Sequence, residues 1–105
     1  MALKRVVVTG LGALTPIGNN IADYWQGLAS GKSGSAPITY FDTEKFKTKF
    51  ACELKDFDIS EFIERKQQRK MDKFTQYAMV STEEALIDSG LNLEVIDKSK
   101  VGVIW

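Results

Sequence analysis

The sequence predicts an α/β fold that is incomplete within this chain, and three observations support that prediction. Two β-branched apolar runs, at residues 5–9 and 101–105, are typical of buried parallel strands. Amphipathic helical segments lie between them, which is the order of a parallel strand pair joined by a crossover. The apolar surfaces of those segments are broader than two or three strands can cover. We therefore interpret the chain as part of a larger α/β protein.

The composition is that of a globular protein, with 44% hydrophobic and 27% charged residues among 105. These values exclude collagen, coiled coil and disorder for the whole chain. Basic and acidic residues number 14 each, so the zero net charge predicts neither nucleic acid nor membrane as a partner. With one cysteine and no histidine, we expect no internal disulfide and no metal site. No apolar run is long enough for a membrane span and the N-terminus lacks the signal-peptide order, so we expect a cytoplasmic location. We also expect no cofactor.

The first half of the chain predicts one buried strand and one helix. The strand covers Arg5–Thr9, and a loop rich in Gly, Pro and Asn follows it. A helix is expected from Ile21, because Asn20 and Asp23 have the spacing of a capping pair. Its apolar face has i, i+3, i+4 and i+7 spacing, and Gly31 ends it. The residues of that face are Ile21, Tyr24, Trp25 and Leu28.

The second half predicts a short strand, a helical region and a last strand. Residues 46–57 alternate loosely, as a half-buried strand does, and a helical stretch opens at Ser60. A longer helix runs from about Met71 to Ser89 and ends at Gly90. Its wide apolar surface predicts cover on more than one side. Residues 101–105 then form the last strand, and a bulky apolar residue at the end of the sequence supports a fragment.

Three glycines after the first strand raise the question of a nucleotide site. Gly10, Gly12 and Gly18 do not have the G-x-G-x-x-G spacing, because Thr15 stands at the third glycine position. Pro16 follows directly, and no helix is expected before residue 21. The glycines are therefore interpreted as sites where the chain turns close to neighbouring backbone.

The single cysteine, Cys52, is not expected to be a nucleophile. The chain has no histidine to activate its thiol. Cys52 alternates with Phe50 and Leu54, so we interpret it as a small buried hydrophobic residue. Three nearby carboxylates are expected to be solvated surface groups rather than an acid/base pair: Glu53, Asp56 and Asp58.

The strongest charge signal is a run of five cations and one acid at residues 65–73, with a net charge of +4. If the run is one continuous helix, four cations form a single stripe at i, i+3, i+4 and i+7. These are Lys66, Arg69, Lys70 and Lys73. A solvated helix face and a docking patch for an acidic partner both fit this pattern.

Several segments together resemble the N-terminal quarter of β-ketoacyl-[acyl-carrier-protein] synthases. They are RVVVTGLGALTPIGN from Arg5, the Trp25 helix ending in GKSG, YFD from Tyr40, KFACELKDFD, and RKQQRKMDKFTQYA followed by EALIDSGL. The resemblance covers essentially all 105 residues in one register. The pattern RKxxRKMDxFxQYA is specific, and it is more similar to type II elongating synthases than to type I.

The resemblance implies a thiolase-like fold, layered α/β/α/β/α, in a homodimeric enzyme. Residues 1–105 would be the N-terminal fragment of its first half-domain. The implied enzyme is an acyltransferase that elongates fatty acyl chains by decarboxylative Claisen condensation with malonyl-acyl carrier protein. Its nucleophilic cysteine and two histidines lie downstream in the family, so no catalytic residue is expected in this chain and the chain alone would be inactive.

The resemblance also implies that Lys66, Arg69 and Lys70 contact the acidic recognition helix of acyl carrier protein. The charge run and the family motif therefore predict the same docking role. The alternative function is a non-catalytic interaction domain that binds an acidic protein through the same basic residues. The mass of the natural polypeptide distinguishes the two hypotheses.

Overall fold

The computed structural model describes residues 2–104 of the chain. Its helices are α1 (Ile21–Ala29), α2 (Arg65–Gln68) and α3 (Lys73–Ser89). Its strands are β1 (Ala36–Pro37) and β2 (Phe50–Ala51). Short 3-10 turns cover Ile59–Glu61 and Lys98–Lys100.

Helix α1 begins and ends where the sequence predicts. The Asn20 side chain accepts a hydrogen bond from the Asp23 N–H at 2.9 Å and donates one to the Asp23 carboxylate at 2.9 Å. This reciprocal pair satisfies an N–H group that the first helical turn leaves without a partner. Gly31 has a φ of +70° just after the helix, which a residue with a Cβ adopts at a cost. Trp25 on the apolar face is nevertheless 69% exposed.

Helix α3 confirms the predicted long helix and its end. Gly90 has the left-handed φ of +66° that typically follows a helix C-terminus. The start differs from the prediction by two residues, because Asp72 adopts an extended ψ of 158°. The helical stretch expected from Ser60 is a 3-10 turn followed by the four-residue α2.

The glycine-rich loop confirms the close backbone approach predicted for its glycines. A Cβ on Gly10 would collide with the Ala85 carbonyl oxygen, and a Cβ on Gly12 would collide with the Ser81 carbonyl oxygen. Residues 10–13 therefore cross α3 in direct contact with its backbone. Only glycine allows this approach, because any larger residue places atoms inside the helix surface.

Glu84 of α3 ties the glycine-rich loop and α1 together. One carboxylate oxygen accepts the Ala13 N–H at 2.8 Å, and the other accepts the Ile21 N–H at 2.8 Å. A second α3 carboxylate, that of Asp88, accepts the Leu11 N–H at 2.9 Å. Backbone donors of the loop and of the α1 N-terminus are thus satisfied by side chains about 70 residues away.

The strands predicted at Arg5–Thr9 and Val101–Trp105 are not strands within the described residues. Residues 5–9 and 101–104 have no ladder partner, and Trp105 lies outside the description. Val8 is exposed and Ile104 is 99% exposed. A strand forms only when a neighbour pairs with its N–H and C=O groups, and no segment among residues 2–104 pairs with these. The predicted parallel pair is therefore wrong for this chain.

The strand predicted over residues 46–57 is correct only for β2. Ala51 pairs with Ala36 and Phe50 pairs with Pro37 in an antiparallel two-stranded sheet. The predicted burial of Cys52 is wrong, because its side chain is exposed. Phe50 and Cys52 share one face, and that face points to solvent, whereas Ala51 and Glu53 on the other face are half-buried.

The hydrophobic core of the described residues is small. Ile63 and Val80 are its buried apolar side chains, the latter 4% exposed. The radius of gyration is 17.6 Å, against about 13 Å for a folded domain of 100 residues. The predicted cover on more than one side of α3 is absent among residues 2–104. An open apolar cleft of about 540 Å³ lies along the helix instead, lined by Phe62, Phe74, Met79, Leu86, Val103 and neighbouring side chains.

Candidate functional site

The basic segment, residues 65–73, spans a break between two helices. Lys66 lies in α2, Arg69 is its C-terminal cap, Lys70 lies in the following turn, and Lys73 begins α3. The single helical stripe predicted from the sequence is therefore wrong. Its physical cause is the extended backbone of Asp72, which interrupts the 3.6-residue repeat between Lys70 and Lys73.

The cations of the basic segment are exposed and available to a partner. All five are classed as exposed, and Asp97–Lys100 is the one ion pair among residues 2–104. No carboxylate of the described chain therefore neutralises Arg69 or Lys70. The positive end of the α3 dipole faces the same region, which adds to the positive potential. An acidic surface would be attracted here.

An open groove of about 530 Å³ runs beside the basic segment. Three cations line it: Arg65, Arg69 and Lys73. Of the residues predicted to bind a partner, the groove includes Arg69, whereas Lys66 and Lys70 lie outside its lining. Arg65 belongs to the charge run but not to the predicted stripe, and Lys73 belongs to the stripe but not to the three contacts that the family resemblance implies. The i, i+4 spacing of Arg65 and Arg69 was the available signal for Arg65, since such residues lie on one side of a helical segment. Lys73 lies beyond the break at Asp72, so helical spacing does not explain its place in the groove.

Aromatic side chains flank the groove at Lys73. Its ammonium lies 4.1 Å from the centroid of the Tyr40 ring, a cation–π contact. Partial burial, together with a hydrogen bond to Tyr40, raises the pKa of Tyr77 above its ordinary value. Tyr77 therefore stays neutral at physiological pH, and Lys73 and the other cations determine the charge of this region.

The side chains of Gln76 and Gln68 hold the backbone around the basic segment through hydrogen bonds. Neither residue was predicted from the sequence. The Gln76 amide donates to the carbonyls of Gln68 at 3.1 Å and Met71 at 3.4 Å. The Gln68 amide donates to the Ile63 carbonyl at 2.6 Å and to the Ser60 hydroxyl at 3.3 Å. No periodicity or motif signals such contacts, because they depend on how the two helices meet.

Two of the three carboxylates near Cys52, those of Glu53 and Asp58, have structural roles. Glu53 accepts hydrogen bonds from the Thr39 hydroxyl at 2.8 Å, the Thr39 N–H at 3.1 Å and the Tyr40 N–H at 3.3 Å. Asp58 caps the 3-10 turn by accepting the Ser60 N–H at 2.9 Å. Asp56 is exposed and has a φ of +52°. The prediction of solvated surface groups is confirmed for the exposed Asp56 and Asp58 and is wrong for Glu53, which is half-buried and hydrogen-bonded.

The Glu53 carboxyl has a pKa below its ordinary value. Desolvation alone raises this pKa, but the hydrogen bonds from Thr39 and Tyr40 and the nearby charge of Lys55 outweigh it. Glu53 is therefore ionised at neutral pH. Its hydrogen bonds connect residues 39–40 to the segment just after β2.

Residues 2–104 contain no cluster of three or more His, Cys, Asp or Glu side chains able to hold a metal ion. No helix in the same range has the length and apolar character needed to span a bilayer.

Comparison with known proteins identifies the family. Residues 3–105 match the family described as beta-ketoacyl synthase, N-terminal domain. The chain belongs to this family. The resemblance inferred from the sequence motifs is therefore confirmed.

Curated relatives of the chain are 3-oxoacyl-[acyl-carrier-protein] synthases 2. It is 46% identical over 101 residues to that of Synechocystis sp., covering 96% of this chain and 24% of the relative. It is 47% identical over 103 residues to that of Coxiella burnetii, covering 98% of this chain and 25% of the relative. The chain spans about a quarter of the length of these relatives.

Solved ketosynthase structures share the fold of this β-ketoacyl synthase segment. The ishigamide ketosynthase/chain length factor superimposes with a TM-score of 0.81 at 40% identity, over 89% of this chain and 23% of that one. A type II polyketide ketosynthase in complex with its acyl-carrier protein gives a TM-score of 0.66 at 29% identity, over 87% and 23%. The predicted fold class is therefore confirmed: the chain is an N-terminal portion of a thiolase-like fold.

Proposed function

We propose that this chain is the N-terminal part of a 3-oxoacyl-[acyl-carrier-protein] synthase that elongates fatty acyl chains. The observation that carries the proposal is a cluster of unpaired cations in a chain 46–47% identical to curated synthases of that activity. In the proposed reaction, an enzyme thiolate takes the acyl group from one carrier thioester and releases the carrier as its thiolate. Malonyl-carrier protein then loses CO₂, and its carbanion attacks the acyl-enzyme and releases the enzyme thiolate.

Residues of this chain take no covalent part in that chemistry. The family resemblance implies that the nucleophilic cysteine and the two histidines lie downstream of the matched region, and the sequence has no histidine that could activate the exposed Cys52. The role proposed for residues 65–73 is to bind the carrier protein that presents the acyl and malonyl thioesters. Lys66, Arg69 and Lys70 are the proposed contacts.

The charge and exposure of the basic segment support carrier-protein docking. Its net charge of +4 complements an acidic surface, and the cations have no carboxylate partner within residues 2–104. Exposed charges of this kind mainly raise association rates and set orientation. A relative of 29% identity was solved with its acyl-carrier protein, which supports the same class of partner.

The test is charge reversal in the full-length enzyme that contains this segment. Arg69→Glu with Lys70→Glu is expected to weaken carrier-protein binding about tenfold or more at low salt, because two attractions become repulsions. The matched control is Lys45→Glu with Lys47→Glu, two exposed lysines outside the basic segment. Titration calorimetry with acyl carrier protein measures both. Equal affinities for the two double variants at low salt would contradict the docking assignment.

Three further properties belong to the same proposal. Residues 1–105 form the N-terminal fragment of the first thiolase-like half-domain, the complete enzyme is a homodimer, and it acts in the cytoplasm. The uncovered apolar surface of α3 supports the first of these, because a larger fold is needed to bury it. The same surface disfavours the alternative of a free-standing interaction domain.

A further inference from the structure

Gln76 is the buried polar side chain of residues 2–104, with 9% of its surface exposed. A buried amide is costly unless its hydrogen bonds are made. Its two N–H donors reach the Gln68 carbonyl at 3.1 Å and the Met71 carbonyl at 3.4 Å. These carbonyls stand immediately before Arg69 and immediately after Lys70. The amide thus bridges the backbone on either side of two proposed docking residues.

The backbone that carries these residues has little stability of its own. Helix α2 has four residues, and a helix of that length is not stable in water without outside contacts. Among backbone N–H groups, its last two carbonyls accept only those that follow the helix, including Lys70 at 3.0 Å and Met71 at 3.2 Å. The Glu64 cap supplies no side-chain hydrogen bond at its start. Contacts from elsewhere must therefore fix its direction.

The side-chain amides of Gln68 and Gln76 supply those contacts. Gln68 anchors α2 to the preceding turn through the Ile63 carbonyl and the Ser60 hydroxyl. Gln76 then anchors the end of α2 and the following turn to the first turn of α3. Both glutamines also line the groove that Arg65, Arg69 and Lys73 flank. Together these hydrogen bonds connect the backbone that carries the exposed cations to α3, the longest helix of residues 2–104.

We infer that Gln76 is a positioning residue for docking of the acidic carrier protein. Its hydrogen bonds hold the turn at Arg69 and Lys70 in the orientation that binds the partner. The hydrogen bonds of Gln68 hold α2 against the preceding turn and so support the same orientation. The inference rests on the proposed function, because it concerns the same surface. Without the Gln76 donors the charges remain, but the turn samples more orientations, and binding must then restore the order at an entropic cost.

The experiment replaces Gln76 with methionine in the full-length enzyme. Gln76→Met keeps the length of the side chain and removes both donors. The expected result is a rise of about three- to tenfold in the KM for the carrier-bound acyl substrate, equivalent to one or two lost hydrogen bonds. Enzyme acylation from an N-acetylcysteamine thioester, which has no carrier protein, is expected to keep its rate. Gln26→Met, at an exposed glutamine of α1, is the matched control.

Gln68→Met provides a second variant at a half-buried position and is expected to raise the same KM. It decides the question if Gln76→Met does not fold. Two results overturn the inference: an unchanged carrier KM in the glutamine variants, or an equal loss of activity with the carrier-bound and the carrier-free substrate. If Arg69→Glu with Lys70→Glu raises the carrier KM while the glutamine variants do not, the positioning role fails and docking stands. If charge reversal also has no effect, the proposed docking itself fails.

Discussion

At the scale of single residues, the chemically reactive side chain and the side chains that stabilise the fold belong to different residues. Cys52, the residue with the most reactive side chain type, is exposed and has no histidine in the sequence to activate it. Glu53, which looks like an ordinary surface acid, holds three hydrogen bonds from residues 39–40. The residues that matter to the proposed function therefore act through charge and backbone support rather than covalent chemistry.

Cys52→Ala in the full-length enzyme is expected to retain acyl-enzyme formation. The reason is that the sequence has no histidine to activate the thiol of Cys52, and the family resemblance implies a nucleophile downstream of residue 105. Mass spectrometry of the intact protein after incubation with an acyl thioester measures the acyl adduct. Complete loss of the adduct in a folded Cys52→Ala protein would show that Cys52 is the acyl acceptor.

Glu53→Gln is expected to lower stability at neutral pH by an amount that shrinks in acid. The pKa of Glu53 is lowered in the folded protein, so its carboxylate contributes stability above the ordinary pKa of 4.5. That contribution is lost as the pH falls through the lowered folded value. Thermal unfolding of the full-length protein at a series of pH values measures the difference from wild type.

The control for this series is Glu44→Gln, at an exposed carboxylate that accepts no hydrogen bond among residues 2–104. It is expected to follow the wild type at every pH. A Glu53→Gln deficit that grows on acidification would mean that the hydrogen bonds to Thr39 and Tyr40 do not favour the ionised form.

At the scale of elements, the sequence predicted helix ends, which depend on nearby residues, but not strand pairing, which depends on distant ones. The cap at Asn20 and the stops at Gly31 and Gly90 depend on neighbouring residues, so α1 and the end of α3 were predicted correctly. The strands at residues 5–9 and 101–105 depend on partners that the described residues do not supply. A β-branched run shows that a segment is suited to a sheet, but it does not show which segment pairs with it.

The candidate site shows the same division. The charge run was evident from the sequence, and the docking hypothesis followed from it. The sequence predicted a helical stretch from Ser60 and a longer helix from about Met71, but not the extended ψ at Asp72 that separates them. The Gln76 amide escaped for a different reason: its partners, Gln68 and Met71, become neighbours only after the chain turns between α2 and α3.

Gly12→Ala in the full-length protein is expected to cost about 3 kcal/mol of stability, toward the upper end for overpacking. The added methyl group would collide with the Ser81 carbonyl oxygen, a backbone atom of α3 that cannot swing away. Chemical denaturation measures the loss. Gly31→Ala is the comparison. Gly31 has a φ of +70° and no atom near its Cβ position, so backbone strain alone costs about 1–2 kcal/mol there. A smaller loss for Gly12→Ala than for Gly31→Ala would contradict the close approach.

At the scale of the whole molecule, the exposed apolar surface and the comparisons lead to the same conclusion. The described residues bury two apolar side chains and leave a cleft of about 540 Å³ along α3. The curated relatives are about four times as long as the matched region, because 101 residues are 24% of one of them. The chain thus matches a portion of longer relatives that leaves its own apolar surface uncovered, and in the proposed function its exposed cations are the part that binds the partner.

The central claim is that residues 65–73 bind an acidic carrier protein mainly through charge. Its most direct test is the association rate constant of the full-length enzyme with acyl carrier protein, measured by stopped flow over a range of salt concentrations. Salt screens exposed charges beyond about 8 Å at physiological ionic strength. We expect the wild-type rate constant to fall steeply with salt, and the Arg69→Glu, Lys70→Glu protein to be slow and nearly salt-independent. Equal rate constants and equal salt dependence for the two proteins would contradict the claim.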